Sequence, residues 1–296
     1  MLDVERPFPL RVHRQENEGR FLARWRGISL ASAESVLLID SRVLIAREAL
    51  RFLARETRYG QDDVAYNGFV LTDDAVPLVG RFWDAPVWLF WGKYLASPHE
   101  MRITPDTFDR LPKGLGMFYA PKRWLVDAMT ASWPEADPRL VSDDTKVIRH
   151  IAEADDLRIT PEFSALYRPR VSVLSFLAHA RMRGTLFVDS YAGTTLVRSI
   201  VLILLVIAPP VLLIATGIAI AVGAGWLAAI LVLVVLGAIL GPAVAAAIGR
   251  CPARGILAYL TYIVPFAAVF WFGLARGSIV HRAAFHGRRT AGGSTE

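Results

Sequence analysis

The sequence predicts an α/β domain that is followed by apolar membrane helices. In the first 190 residues, apolar runs typical of strands alternate with stretches of helical spacing, which favours one α/β domain. The 51 residues between Arg198 and Arg250 contain no Asp, Glu, Lys or Arg, and neither do the 21 residues between Arg254 and Arg276. Hydrophobic residues make up 54% of the chain and charged residues 20%, which excludes a wholly soluble, a disordered or a disulfide-stapled protein.

Local patterns place the strands and helices of the α/β domain. Short apolar runs bounded by turn residues predict strands at 9–12, 35–39, 114–119 and 157–159. Amphipathic spacing predicts helices at 19–33, 47–56 and 143–154. The run at 35–39 is continuously apolar and ends at Asp40, which is typical of a parallel strand buried on both faces.

The long uncharged stretch predicts a helical hairpin. As one helix, its 51 residues would be roughly 76 Å long, whereas the hydrocarbon core of a bilayer is about 30 Å thick. Gly223-Ala224-Gly225 predicts a turn between spans at 199–222 and 226–248, and Pro209-Pro210 is expected to kink the first span. The apolar segment at 255–275 is just long enough to be a third span.

Arginines that flank these segments predict the side of the membrane on which the domain lies. They precede the first span and follow the second, at positions 181, 183, 198, 250 and 254. Both flanks therefore fit the cytoplasm under the positive-inside rule. Four further arginines follow the third segment, and three complete spans would place them outside. Either the rule is violated, or this segment is re-entrant or lies along the interface, and we expect a disordered cytoplasmic tail at 277–296. We expect an integral protein of a bacterial plasma membrane with its domain on the cytoplasmic face.

The charge distribution indicates lipid rather than nucleic acid as a charged partner. Residues 1–198 carry 27 basic and 26 acidic side chains, whereas residues 199–296 carry six arginines and one glutamate. The basic excess flanks the membrane segments, where it suits anionic lipid headgroups. The nearly neutral domain lacks a basic stripe interleaved with aromatic residues, so we expect no nucleic-acid partner.

Asp40 is the first candidate for chemistry. It ends the apolar run at 35–39, and in open α/β sheets ligands bind beyond the carboxyl ends of strands, where a carboxylate can contact a ribose hydroxyl or a metal ion. An aspartate in a turn or at a helix N-cap explains the position equally well, because Ser41 and a helix follow. Position alone leaves both interpretations open.

Asp143 and Asp144 form an acidic pair where a helix is expected to begin. The helix dipole favours carboxylates in a first turn, so the pair has a sufficient structural explanation. In the functional interpretation, one of the two carboxylates serves as a general base. The spacing does not decide between these interpretations.

Arg181 and Arg183 lie shortly before the first membrane span. They can be explained as flanking charges that keep this helix end on the cytoplasmic side. In the functional interpretation, a fixed guanidinium binds a diphosphate leaving group and offsets the negative charge that develops on it.

Taken in order, short motifs in this chain resemble those of family 2 glycosyltransferases of the GT-A fold. They read Gly19, Ala23-Arg24, Gly27-Ile28, Val36–Arg42, Gly116–Arg123, Asp143-Asp144, Arg158–Pro161 and Arg181–Gly184. The resemblance covers residues 8–190. It implies a GT-A-like domain at 1–190 with a mixed sheet flanked by helices, followed by a membrane domain at 191–276 that holds the hairpin and the third segment.

The resemblance implies a role for each candidate residue. Asp144 matches the second carboxylate of the family's acidic pair, which is the catalytic base, and Asp143 matches its neighbour. Asp40 matches the residue that contacts the nucleotide-sugar donor. Arg181 and Arg183 match an interfacial region that holds the donor diphosphate in some members.

Arg42 departs from the family pattern. The family usually has Asp-x-Asp where this chain has Asp40-Ser41-Arg42, and the second aspartate holds Mg²⁺ or Mn²⁺. An arginine cannot be a metal ligand, so Asp40 is the only candidate ligand left in the motif. We expect Arg42 to help neutralise the diphosphate instead. The family's opening strand and its Asp-rich donor loop are not recognisable, so we expect the donor-binding half to be truncated.

The resemblance implies a membrane-bound inverting glycosyltransferase. It would move a sugar from a nucleotide-sugar to a lipid or cell-envelope glycan acceptor, with membrane lipids as further partners. The alternative is a non-catalytic, degenerate transferase domain that acts as a membrane scaffold or regulator. Arg42 and the unrecognised opening strand motivate this alternative.

Overall fold

The computed structural model describes residues 8–58, 63–134, 137–142 and 144–286. In chain order, the helices and strands are α1 (Arg20–Leu30), β1 (Ser35–Ile39), β2 (Val43–Ile45), α2 (Arg47–Arg58), β3 (Ala65–Thr72), α3 (Asp84–Ala96), β4 (Met101–Arg102), β5 (Met117–Pro121), α4 (Lys122–Ala131), α5 (Thr145–Ala154), β6 (Leu157–Tyr167), α6 (Val173–Tyr191), α7 (Leu196–Ala221), α8 (Gly225–Ile248) and α9 (Ala253–Val280). An α/β domain followed by apolar helices is therefore present, as the sequence predicts.

The strands form one mixed sheet. Their order is β1-β5-β3-β6-β2, and β4 pairs with β6. β3 and β6 pair in parallel, and the other pairs are antiparallel. β1 and β2 lie at opposite ends of this order, although only Asp40, Ser41 and Arg42 separate them in the chain. These three residues therefore carry the chain from one end of the strand order to the other.

Alternating side chains build a core on each face of the sheet. In β5, Phe118 and Ala120 join a core shared with α1, α4 and α5, whereas Met117 and Tyr119 join a core shared with α2. This period of two is the pattern of a strand that is covered on both faces. The helices α1 and α5, which flank the candidate site, are thus held against the same face of the sheet.

Two strand predictions are wrong. β1 is not a parallel strand, because it lies at the end of the strand order and pairs antiparallel with β5. The strand is continuously apolar because Val36 and Leu38 pack against one core and Leu37 packs against the other. A strand can be covered on both faces in this way without parallel pairing. Residues 9–12 form no strand, because they are exposed and bury no apolar face.

α7 and α8 form the predicted hairpin. The turn between them contains Gly223 with a φ of 74°, a conformation that glycine adopts at little cost. Pro209 and Pro210 lie inside α7, which continues past them. Among the described residues, α7, α8 and α9 are long and apolar enough to cross a membrane.

α9 lies across the open end of this hairpin. In its first half, the hydroxyl of Tyr259 donates a hydrogen bond of 3.2 Å to the carbonyl oxygen of Ile239 in α8. In its second half, the indole N–H of Trp271 donates a hydrogen bond of 2.9 Å to the carbonyl oxygen of Val206 in α7. Ile239 and Val206 are almost equally far in sequence from the turn at Gly223, so both contacts lie at about the same height in the hairpin. α9 therefore crosses the two helices instead of following either one.

Both ends of α9 contact the α/β domain. At its start, Gly255 lies so close to α3 that a Cβ at this position would be 2.7 Å from the Cβ of Asp84. Just beyond its end, Nε2 of His281 lies 3.0 Å from the carbonyl oxygen of Leu140 and is hydrogen-bonded to it. The two ends of α9 therefore lie on the same side of the hairpin.

Glycines allow α6 to pack closely along α9. A Cβ at Gly184 would overlap the carbonyl oxygen of Phe270, and a Cβ at Gly273 would overlap the carbonyl oxygen of Arg181. Small residues at such positions let two helix backbones approach each other. The contact holds α6, and with it Arg183, against the base of the hairpin.

The C-terminal segment differs from its prediction. Residues 277–286, expected to be disordered, extend α9 to Val280 and then form a 3-10 helix at Arg282–His286. They are ordered because Gly277 packs against Thr185 of α6, which gives this end of α9 a partner. Residues 287–296 lie outside the described part of the chain.

Candidate functional site

Asp40 lies in a turn after β1 and forms an ion pair. Its carbonyl oxygen accepts a hydrogen bond of 3.0 Å from the N–H of Val43, in agreement with the turn interpretation. Its carboxylate oxygen Oδ1 accepts a hydrogen bond of 2.7 Å from Nη2 of Arg24 in α1. The side chain of Asp40 is 42% exposed and that of Arg24 only 11%, so a buried guanidinium holds a carboxylate that still reaches solvent.

Asp144 is the N-cap of α5. Its Oδ1 accepts hydrogen bonds from the backbone N–H of Thr145 at 2.6 Å and from the hydroxyl of Ser142 at 3.0 Å. The structural explanation for an aspartate at this position is therefore confirmed. The second carboxylate oxygen, Oδ2, takes no part in the cap.

The surroundings of Asp144 keep its carboxyl group ionised. Burial alone would raise the pKa of Asp144. The hydrogen bond from Ser142 and the positive charges of three arginines outweigh this effect and leave the pKa below its ordinary value. The three are Arg20, Arg183 and Arg24. At neutral pH the group is a carboxylate, the form that accepts a proton.

Arg24 connects the two predicted carboxylates. Burial lowers the pKa of Arg24, and the negative charges of Asp40 and Asp144 both act against this shift. Arg24 contacts Asp40 directly, whereas Asp144 acts on it through its charge. The structure thus brings together two aspartates that are over a hundred positions apart in the chain.

Five arginines act through their charges on Asp144, on Asp40 or on the neighbouring His179, and we call them the cationic cluster. They are Arg20, Arg24, Arg42, Arg170 and Arg183. His179 lies among them, and burial together with the charges of four of these arginines lowers the pKa of His179 to about 3. The guanidinium carbon of Arg183 lies 4.6 Å from the ring centroid of Trp83, which fixes its position. Two predicted residues, Arg42 and Arg183, are therefore members of one cluster.

The sequence patterns do not single out the other members of the cluster. Arg20 and Arg24 are four residues apart in α1, as are His179 and Arg183 in α6, so each pair lies on one helix face. This spacing is the signal in the sequence that could have identified these residues. It does not show what the helix face lies against until the positions of the helices are known. Arg170 follows the end of β6 and has no comparable signal.

Asp143 and Arg181 are the two remaining residues that the sequence analysis predicts for the site. Asp143 lies outside the described residues. Arg181 and Arg183 are both exposed, but successive residues of a helix are about 100° apart, so Arg181 points away from Arg183 by about 160°. The charges that act on Asp144 and His179 include that of Arg183 and not that of Arg181. The flanking-charge interpretation is sufficient for Arg181.

Among the described residues, Asp40 is the one carboxylate of its motif that a divalent cation could use. Mg²⁺ and Mn²⁺ prefer several oxygen ligands, above all carboxylates. Asp40 is engaged by Arg24, and Arg42 occupies the position of the expected second carboxylate. Within the described ranges, no group of three or more His, Cys, Asp or Glu side chains could hold a metal ion. The positive charge at this site comes from arginines.

A buried carboxylate fixes the loop that carries Asp144. Asp189, near the end of α6, accepts hydrogen bonds from the N–H of Ser142 at 2.9 Å and from Nζ of Lys146 at 2.6 Å. Nδ1 of His281, just after α9, lies 3.7 Å from an oxygen of the same carboxylate. The position of Asp144 therefore depends on contacts with α6 and with the end of α9.

No protein-family model and no curated protein sequence matches this chain. The described residues themselves show an ionised carboxylate, Asp144, close to arginines, of which Arg24 is largely buried and Arg20 and Arg183 are exposed. Guanidinium groups bind phosphate and carboxylate oxygens through paired hydrogen bonds. An anion held by the cationic cluster would therefore lie next to a group that can accept a proton.

Proposed function

We propose that the protein is a membrane-bound inverting glycosyltransferase with a GT-A-like domain, which moves a sugar from a nucleotide-sugar to a lipid or cell-envelope glycan acceptor. The observation that carries this proposal is the ion pair between Asp40 and Arg24, together with the charges of Arg20, Arg24 and Arg183 that act on the carboxylate of Asp144. The resemblance of the motifs along α1, β1, β5 and α5 to family 2 glycosyltransferases supports it.

The cationic cluster is suited to the diphosphate of a nucleotide-sugar. Arg42, Arg170 and Arg183 offer planar guanidinium groups, which match phosphate oxygens in pairs. Burial and the neighbouring charges of Arg42 and Arg183 lower the pKa of Arg170, so these cations repel one another. A bound diphosphate relieves that repulsion, and Arg42 supplies charge where related enzymes use a metal.

Asp144 serves as the general base. The acceptor hydroxyl oxygen attacks the anomeric carbon of the sugar while Asp144 takes its proton. The bond between the anomeric carbon and the diphosphate oxygen breaks, and its electron pair leaves with the diphosphate, whose charge the arginines offset. Because attack and departure occur on opposite sides of the carbon, the configuration of the sugar is inverted.

Asp40 holds the nucleotide. Its exposed carboxylate lies beyond the carboxyl end of β1, where it can accept hydrogen bonds from ribose hydroxyls. Arg24 fixes the orientation of this carboxylate through their ion pair. The donor thus lies between Asp40 and Arg183, with its sugar directed towards Asp144.

The contacts of α9 support a placement in which α7 and α8 cross the bilayer and α9 lies along its surface. Both ends of α9 contact the α/β domain, whereas a crossing helix would carry its far end away from the domain. The exposed apolar side chains of α9 fall on one helix face, as in a helix that rests on lipid. They include Leu257, Leu260, Val264, Phe272 and Ile279. The arginines that flank the three helices then all lie on the domain's side, which the positive-inside rule assigns to the cytoplasm.

Calorimetric titration of the full-length, detergent-solubilised protein with the common nucleotide-sugars tests this function. We expect at least one donor to bind. Arg183→Gln should weaken that binding by about tenfold or more, because it removes a charged hydrogen-bond donor from the diphosphate. Arg181→Gln, two residues away on another helix face, is the matched control and should bind the donor as the natural protein does.

Two results would contradict the proposal. One is that no nucleotide-sugar binds to the folded protein, which would favour the non-catalytic scaffold instead. The other is an equal loss of affinity in Arg181→Gln and Arg183→Gln, which would show that general surface charge, and not the cationic cluster, attracts the donor.

A further inference from the structure

A second group of cations lies at the base of α7, and we call it the hairpin-base cluster. It consists of Lys113, Arg149 and Arg198. Arg198 is the third residue of α7, and the sequence explains it only as a flanking charge. Arg149 comes from α5 and Lys113 from the loop before β5, so three separate segments of the chain contribute one cation each.

One aromatic ring lies against two of these cations. Nζ of Lys113 is 4.2 Å from the ring centroid of Phe108, and the guanidinium carbon of Arg149 is 4.9 Å from the same centroid. Nζ of Lys113 also donates hydrogen bonds to the carbonyl oxygens of Phe108 and Leu111. Two positive charges are therefore held beside a single side chain.

Paired carboxylates compensate for only part of this charge. Asp109 forms an ion pair with Arg198, and its side chain is 57% exposed. Glu153 and Asp144 also act on members of the cluster, but neither forms an ion pair with them in the described part of the chain. Nη2 of Arg149 is buried and has no hydrogen-bond partner among the described residues. The cluster thus has surplus positive charge and an unused buried donor.

The pKa of Lys113 reflects this surplus. Burial lowers the pKa of Lys113 to about 8. The charges of Arg149 and Arg198 act in the same direction. Those of Asp109 and Asp144 oppose them. A bound anion would favour the charged ammonium form and raise this pKa.

The position of the cluster indicates its ligand. Arg198 lies at the base of α7, and Trp91 of α3, whose ring centroid is 5.7 Å from Nζ of Lys113, is next to the contact between α3 and Gly249 at the end of α8. The cluster therefore lies at the open end of the hairpin, at the level of lipid headgroups. We propose that Lys113, Arg149 and Arg198 bind the phosphate of an anionic lipid headgroup. This site does not depend on sugar transfer.

Titration of the full-length protein in detergent with short-chain phosphatidylglycerol tests this site. The matching diacylglycerol lacks the phosphate, and inorganic phosphate lacks the acyl chains. These two probes therefore separate the contribution of the phosphate to binding from that of the lipid chains. We expect phosphatidylglycerol to bind more tightly than either. Arg149→Gln should weaken its binding by about tenfold or more, whereas Arg276→Gln, an exposed arginine of α9, should not.

Two further measurements examine the charge of the cluster itself. Asp109→Asn removes the paired carboxylate and should tighten the binding of phosphatidylglycerol. A change from about pH 7 to about pH 9 should weaken binding to the natural protein, because Lys113 loses its proton above its pKa. Lys113→Gln should bind less tightly at the lower pH and should lose this pH dependence.

Three results would overturn the proposal. They are equal affinities of Arg149→Gln and Arg276→Gln, a diacylglycerol that binds as tightly as phosphatidylglycerol, and inorganic phosphate that binds as tightly as the lipid. Should Arg149→Gln fail to fold, Asp109→Asn carries the test, and weaker or unchanged lipid binding in that variant contradicts the site.

Discussion

Asp144 has a structural role as a helix cap, and our proposal gives the same carboxylate a chemical role. Its Oδ1 caps α5, while the arginines around it hold its pKa below the ordinary value. Asparagine caps helices about as well as aspartate does, but it cannot accept a proton in the same way. A single substitution can therefore separate the two roles.

We predict that Asp144→Asn lowers the turnover of sugar transfer by about 10²- to 10⁴-fold, the usual contribution of a general base, and leaves donor affinity nearly unchanged. Glu153→Gln, on the exposed side of the same helix, should keep its turnover. Steady-state kinetics and donor titration of both variants check this. Turnover of Asp144→Asn at the level of the natural protein would remove the assignment of the base.

In the proposed transfer reaction, Arg42 offsets the charge of the leaving group. Since it stands where a metal-binding aspartate is expected, we predict that transfer survives EDTA. We also predict that Arg42→Gln weakens donor binding by about 10- to 100-fold, and that Arg58→Gln, an exposed arginine at the end of α2, does not. Activity that is lost on chelation and restored by Mg²⁺ or Mn²⁺ would show that a metal is required after all.

The contact between α6 and α9 links the membrane region to the candidate site. α6 carries Arg183 and also Asp189, which fixes the loop before Asp144. The two helices approach closely only because Gly184 and Gly273 have no side chains. Any separation of α6 from α9 should therefore disturb the position of Asp144.

We predict that Gly273→Ala destabilises the protein by about 1–3 kcal/mol, because its Cβ would overlap the carbonyl oxygen of Arg181 and force the helices apart. Gly237→Ala is the matched control, since a Cβ at Gly237 in α8 would meet nothing within 4 Å. Thermal unfolding of both variants in detergent measures the difference. Equal stabilities would mean that the close approach contributes nothing to the packing of α6 on α9.

At the scale of the whole molecule, the charged residues that flank α7, α8 and α9 lie on one side of the hairpin. The bases of α7 and α8, both ends of α9 and the α/β domain all lie there, whereas the turn at Gly223 lies at the far end. In the proposed placement, in which α7 and α8 cross a bilayer, the membrane separates this turn from the rest of the molecule.

We predict that Ala54→Cys and Ala283→Cys are labelled from the same side of the membrane and Val222→Cys from the other. All three positions are exposed, and Cys251→Ser first removes the native cysteine. Labelling of right-side-out and inverted vesicles with a membrane-impermeant maleimide checks this. If α9 crosses the bilayer, Ala283→Cys will instead be labelled together with Val222→Cys.

Local patterns in the sequence predict many of the elements. The strand at 35–39 and the turn at Gly223 are confirmed, and the two predicted spans differ from α7 and α8 by only a few residues. These features depend on the polarity of neighbouring residues and on the conformational freedom of glycine, both of which are written in a short stretch of chain. The strand predicted at 157–159 continues to Tyr167, because its later residues pair with β3 and β2, which a local pattern does not reveal.

The sequence by itself determined that an α/β domain precedes apolar helices and where most of these elements lie. Only the tertiary structure decided that the charges of Asp40 and Asp144 both act on Arg24 and that Arg183, not Arg181, acts on Asp144. It also decided how α9 lies, for which the flanking arginines left more than one placement open. The physical reason is that hydrophobic periodicity reports that a segment buries one of its faces, but not which partner it buries that face against. Partners that are far apart in the chain are chosen by the packing of the whole molecule.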